Sequence, residues 1–168
     1  GIVCFIDYVK GVPALIKLAA QTLAALVVMK FGIRIDNLDI PFINVNNLGS
    51  WFYPVLTICW IVGITNAMNL IDGLDGLATG ISLISCLSLL IIFALNASPL
   101  ISIVLITALG GALCGFLPYN FNPAKTFIGD TGSNFLGYCL SIISILGIAK
   151  TYTAIVIVAP LFVLALPI

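Results

Sequence analysis

Asn66-Ala67-Met68-Asn69-Leu70-Ile71-Asp72-Gly73-Leu74-Asp75-Gly76-Leu77-Ala78-Thr79-Gly80 sets two Asn, two Asp and three Gly between two long runs that carry no charge. Carboxylates at the margin of a membrane are costly, and chains keep them where they face a polar cavity and act there. The stretch therefore divides the chain into apolar spans joined by polar turns. A second stretch, Asn122-Pro123-Ala124-Lys125-Thr126-Phe127-Ile128-Gly129-Asp130-Thr131-Gly132-Ser133, stands in the same kind of place. Two Asp-bearing segments in an otherwise apolar chain point to one shared site.

Composition agrees. Of 168 residues, 62% are hydrophobic and 7% charged, and the mean hydropathy is +1.28. Soluble domains carry roughly 25% charge, so the chain reads as an all-α polytopic membrane protein. Net charge is zero and no basic run occurs, which excludes nucleic acid as a partner. All six acidic residues are Asp, a bias that fits site chemistry better than a solvated helix face. Cys4, Cys59, Cys86, Cys114 and Cys139 lie in or beside apolar runs without CxxC spacing and read as small buried hydrophobes. No signal peptide is recognisable at Gly1–Lys10, and the chain stops within an apolar stretch at Leu166-Pro167-Ile168. We expect a single membrane domain over 1–168, the central fragment of a longer protein.

A spanning helix needs about 20 mostly apolar residues. Gaps in charge mark six candidates, at 12–30, 51–69, 77–95, 100–119, 134–149 and 152–168. Lys17 and Gln21, four apart, give the first a polar stripe, so it is expected to pack inside a bundle. Asn96-Ala97-Ser98-Pro99 is a turn signal between the third and fourth. From Ile33 to Ile43 apolar and polar residues alternate, and Asn46-Asn47 offers a turn, so a short β-hairpin outside the bilayer is expected there.

Alternating the spans places Asp7, Asp72, Asp75 and Asp130 on one membrane face, with Asp36 and Asp39 on the other. Lysine and arginine divide evenly between the faces, so the positive-inside rule gives no orientation.

Asn66, Asn69, Asp72 and Asp75 are spaced three apart. Each such step drifts by about 60° around a helix, so all four cannot share one face of a straight one. Gly73 and Gly76 can break the helix and let the polar groups converge. The plainer explanation is a helix end capped by Asp and Asn, but a cap needs one such residue and not four. Gly129-Asp130-Thr131-Gly132-Ser133 can likewise be a turn with an N-cap. Phe127 can be an interfacial anchor and Lys125 a snorkelling lysine. Carboxylates with Asn and Lys suit a hard cation such as Mg²⁺, which is held by one or two carboxylates plus substrate phosphates. With no His and no clustered Cys, transition-metal chemistry is disfavoured. No Walker-type glycine loop is present. The residues by themselves lead to a membrane enzyme that handles a phosphorylated substrate with Mg²⁺.

The segments Asn66–Gly80 and Phe121–Gly137 resemble two signature segments of the polyprenyl-phosphate N-acetylhexosamine-1-phosphate transferases. The resemblance runs through essentially the whole chain. It implies transfer of a sugar 1-phosphate from a UDP-sugar donor to a polyprenyl phosphate such as undecaprenyl phosphate, with release of UMP, at the cytoplasmic face of the cell membrane. The form Asn69-Leu70-Ile71-Asp72-Gly73-Leu74-Asp75-Gly76 is more similar to the GlcNAc-1-phosphate branch than to the phospho-MurNAc-pentapeptide translocase branch, which is the alternative.

By the same resemblance Asp130 is the Mg²⁺ ligand, with Mn²⁺ as an alternative ion. Asp72 and Asp75 match acidic residues needed for catalysis and nucleotide-sugar binding. Asn66, Asn69 and Lys125 fall among the substrate-binding positions. Phe127 matches an aromatic that stacks on uracil, and Asn120 lies where an Asn contacts that base. Asp7 matches the first of a catalytic Asp pair near the lipid phosphate. The second position of that pair is Tyr8, and a phenol is a poor Mg²⁺ ligand and a poor base near neutral pH. The family's His-containing loop would lie beyond Ile168.

Two readings compete with an enzyme. A transporter predicts acidic groups at mid-membrane depth and inverted repeats, whereas here the Asp residues sit at span ends and no repeat is visible. An inactive scaffold is the reading that Tyr8 favours.

Overall fold

The computed structural model describes residues 13–36 and 51–148. These form five helices: α1 (Ala14–Lys30), α2 (Phe52–Ile71), α3 (Leu77–Leu95), α4 (Leu100–Asn120) and α5 (Gly129–Ile148). No strand occurs among the described residues. Residues 33–36 of the expected hairpin carry no regular structure. The rest of that hairpin, the sixth expected span and Asp7 lie outside the described residues.

The helix ends follow from local chemistry. Pro13 precedes α1 and Pro99 precedes α4, where a missing backbone N–H costs nothing. At the end of α1, Gly32 takes φ +83°. Its N–H donates to the Met29 carbonyl, and that of Ile33 donates to the Val28 carbonyl, the paired bonds of a Schellman stop. Ile35 then tucks back under α2, buried, with its N–H donating to Thr57 Oγ1 at 3.1 Å.

The hinge between α2 and α3 is the glycine-broken segment that the sequence signals. α2 runs through Ile71, Asp72 caps it, and Gly76 adopts a left-handed φ of +73° to start α3. A Cβ on Gly76 would also sit 3.4 Å from the backbone of Phe121, so the position serves both a turn and a close approach.

α5 is the central element and packs against α2, α3 and α4, while α1 lies on α2 and α3 pairs with α4. One apolar cluster joins Ala25, Trp60, Ile61, Ile64, Met68 and Ile145. A second joins Leu89, Phe93, Ile106, Leu113, Leu136 and Leu140. Between them, polar ties cross the helices: Trp60 Nε1 donates to Ser144 Oγ at 3.1 Å, and Tyr138 Oη to the Ala24 carbonyl at 3.2 Å. Such bonds and close backbone approach, more than the hydrophobic effect, join helices in lipid.

By length and composition α2, α3 and α4 can each cross a membrane. Large apolar side chains such as Leu15, Leu23, Leu100, Ile101 and Val104 point outward, a surface suited to hydrocarbon and not to water. The starts of α1, α3 and α5 and the ends of α2 and α4 meet at one end of this bundle, where the polar residues collect.

Candidate active site

Asp130 stands in the first turn of α5. The helix begins at Gly129, five residues before the start expected from apolarity alone, because Asp130, Thr131 and Ser133 favour a helix opening. A carboxylate there is favoured by the helix dipole, and the free N–H groups of the same turn attract anions. Asp130 Oδ2 lies 3.5 Å from Nζ of the partly buried Lys17. The polar stripe of α1 thus faces the bundle, as its spacing predicts.

Asp72 caps the C-terminal end of α2, the end where a helix dipole disfavours an anion. Burial pushes its carboxyl pKa upward, and the nearby Asp130 charge pushes it further in the same direction. The charges of two carboxylates from different segments are therefore felt by one another at this end of the bundle. A structural cap would not be placed so unfavourably, and carboxylates perturbed in this way concentrate at functional sites.

Asp75 does something different. Its Oδ2 accepts from Asn122 Nδ2 at 3.2 Å and from the Ala124 N–H at 3.1 Å. It clasps the 121–128 loop to the start of α3. Asn120, only 3% exposed, reinforces that clasp. Its Oδ1 accepts from Thr79 Oγ1 at 2.5 Å, and its Nδ2 donates to the Thr126 carbonyl at 2.9 Å. Lys125 and Phe127 ride on the loop so held, both exposed, Phe127 to 70%.

Asn66 and Asn69 sit on the last turns of α2 and are spoken for within the protein. Asn66 Nδ2 donates to Gln21 Oε1 at 2.8 Å and to the Val62 carbonyl at 2.9 Å. Asn69 Nδ2 donates to Ser133 Oγ at 3.0 Å. The structure thus brings Asn66, Asn69, Asp72, Asp75, Asn120 and Asp130 to one end, with Lys125 and Phe127 at its rim.

Sequence reasoning passed over Gln21, Asn134, Asn122 and Thr79 as site residues. Gln21 was visible only as half of a polar stripe, and Asn134 lies one residue beyond Gly129–Ser133. Asn122 and Thr79 both lie within the two polar stretches, but nothing in their order marks their partners, Asp75 and Asn120, which come from the other stretch or the helix before it.

Among the described residues no three of His, Cys, Asp and Glu gather into a metal cluster. The oxygen donors available at this end are the carboxylates of Asp72 and Asp130, at the end of α2 and in the first turn of α5. That set fits Mg²⁺, which completes its octahedron with substrate phosphates and water, and does not fit a softer transition metal.

Residues 1–148 match the profile of glycosyl transferase family 4. Over 156 residues, 92% of the chain and 43% of the relative, the chain is 46% identical to a protein of Bacillus subtilis (strain 168) described as a probable undecaprenyl-phosphate N-acetylglucosaminyl 1-phosphate transferase. Over 110 residues, 66% of the chain and 34% of the relative, it is 49% identical to the phospho-N-acetylmuramoyl-pentapeptide-transferase of Staphylococcus haemolyticus (strain JCSC1435). The enzyme of the same description from Staphylococcus aureus (strain JH9) is 48% identical over the same length. The chain spans less than half the length of these relatives.

Proposed function

The chain belongs to glycosyl transferase family 4, and from that membership we propose that the whole protein is a multi-pass enzyme of the cell membrane that transfers a sugar 1-phosphate from a UDP-sugar to a polyprenyl phosphate. The observation that carries this reading is the gathering of Asp72, Asp75 and Asp130, tied in by Lys17, Asn69 and Asn122, at the polar end of an apolar bundle. Carboxylates gathered at one polar end are suited to a diphosphate accompanied by a divalent cation. UDP-sugars are cytoplasmic, so this end of the bundle faces the cytoplasm.

In the reaction, an oxygen of the lipid phosphate attacks the sugar-bearing phosphorus of the donor. A new P–O bond forms there, the P–O bond to the uridine phosphate breaks, and UMP leaves. Both reactants are anions. Mg²⁺, when bound, supplies charge neutralisation and polarises the diphosphate. Asp72 and Asp130 are the residues that would hold it. Lys17, beside Asp130, and Lys125, on the exposed loop, add positive charge for the donor's phosphates. Phe127 presents an exposed ring on which a uracil can stack, and the clasp through Asp75 and Asn120 keeps that loop in place. By the family resemblance Asp7 would act on the lipid phosphate as a base or as a positioning group; the second pKa of that phosphate, about 6, leaves it largely ionised without a base.

GlcNAc is the favoured donor sugar, because the similarity to the Bacillus protein runs through 92% of this chain. The second reading, a phospho-MurNAc-pentapeptide transferase, is favoured by the 49% identity within the 110 residues shared with the Staphylococcus haemolyticus enzyme. UMP release by the full-length protein in membranes, with undecaprenyl phosphate and Mg²⁺, decides between them. Release with UDP-GlcNAc is expected. Release only with UDP-MurNAc-pentapeptide moves the protein to the second reading, and release with neither overturns both.

A further inference from the structure

Three amides from three helices meet beside the carboxylates. Gln21 of α1 donates from Nε2 to Asn134 Oδ1 of α5 at 2.9 Å and to Asn66 Oδ1 of α2 at 3.3 Å, while its Oε1 accepts from Asn66. Asn134 in turn donates from Nδ2 to the Asp130 carbonyl at 2.6 Å. A parallel branch runs from Asn69 Nδ2 to Ser133 Oγ, and from Ser133 Oγ to the same carbonyl at 3.3 Å. Two side chains thus converge on the backbone of Asp130. One is held by α1 through Gln21, the other by α2 through Asn69.

We infer that Gln21 is a positioning residue of the reaction centre: through Asn134 it fixes the first turn of α5, and with it the direction in which Asp130 presents its carboxylate. The inference rests on the reading of Asp130 given above. A glutamine in an apolar helix is expensive unless its amide is satisfied. Three bonds to two other helices satisfy this one, all at the polar end of the bundle. Partners that orient a metal-binding or catalytic group without touching the substrate commonly set its effectiveness, and their removal typically costs about 10–100-fold in affinity or activity.

Two variants of the full-length protein test this. Gln21→Met keeps the volume and the apolar setting and removes every amide bond. Gln21→Glu keeps an oxygen to accept from Asn66 and removes the donor to Asn134, so it cuts the branch to Asp130 while leaving α1 tied to α2. Hydrogen exchange across residues 129–136, read by mass spectrometry, is expected to quicken about tenfold in both, the effect of losing one hydrogen bond. The Mg²⁺ concentration for half-maximal UMP release is expected to rise about 10–100-fold, with little change in KM for the UDP-sugar. A loss of folded protein alone would lower the rate and leave the Mg²⁺ dependence where it was. Unchanged exchange across 129–136 in either folded variant overturns the inference, as does an unchanged Mg²⁺ dependence in an active one. If the parent releases no UMP, the functional reading falls by itself, and the exchange measurement still decides whether Gln21 holds α5.

Discussion

The two loop carboxylates Asp72 and Asp75 share a motif and almost a turn of chain, yet they do different things. Asp75 is satisfied by Asn122 and the Ala124 N–H. Asp72 instead meets burial and the charge of Asp130, and both raise its pKa. A carboxyl whose folded-state pKa lies above its unfolded one binds its proton more tightly when folded. Its contribution to stability is fully present below the unfolded value and is lost as pH rises through the raised folded value. At neutral pH in metal-free buffer, ionised Asp72 therefore weakens the fold. Asp72→Asn is expected to raise the melting temperature at about pH 7 and to lose that advantage progressively as the pH is lowered and the parent carboxyl takes up its proton. A difference that stays the same as the pH is lowered would mean that Asp72 does not titrate against Asp130.

Among elements, the pair α2 and α5 decides the geometry, since the two helices pack together with Asp72 at the end of one and Asp130 in the first turn of the other. Gly137 permits that pairing: a Cβ there would lie 2.7 Å from Thr65 Cα and 3.0 Å from the Ile64 carbonyl oxygen. Both are backbone atoms, which no rotamer change can move aside. Gly137→Ala is expected to destabilise the protein by about 1–3 kcal/mol through overpacking, read as a lowered melting temperature in detergent. Gly115→Ala is the control. Nothing lies within 4 Å of its added Cβ, and alanine favours a helix over glycine by about 1 kcal/mol. Equal effects in the two variants would show that α2 and α5 are not in close backbone contact. Charge gaps located the helices to within a few residues, except at the start of α5. There the sequence reads as a loop because Gly129–Ser133 is polar. Polar residues of that kind are what a helix opening prefers, so apolarity placed the boundary late.

At the scale of the molecule, what was legible followed from solvent physics. An uncharged run long enough for a bilayer must be a helix, because no other open structure satisfies its backbone there. Counting spans then put Asp72, Asp75 and Asp130 on one face, and the structure gathers them at one end. The roles within that end were not legible. Nothing in the order of residues says that Asn66 would turn to Gln21, or that Asn120 would be consumed in holding Thr126. Those bonds depend on how the helix ends meet, a fact of packing and not of pattern.

In the function proposed here, Asp130 is the carboxylate about which the reaction is organised. The most direct measurement is UMP release by full-length Asp130→Asn in membranes, with Mg²⁺, undecaprenyl phosphate and UDP-GlcNAc, beside binding of the UDP-sugar by the same variant. The rate is expected to fall about 10²–10³-fold, as when a preorganised charge is lost from a transition state, while UDP-sugar binding is largely kept. Full activity in Asp130→Asn would contradict the account.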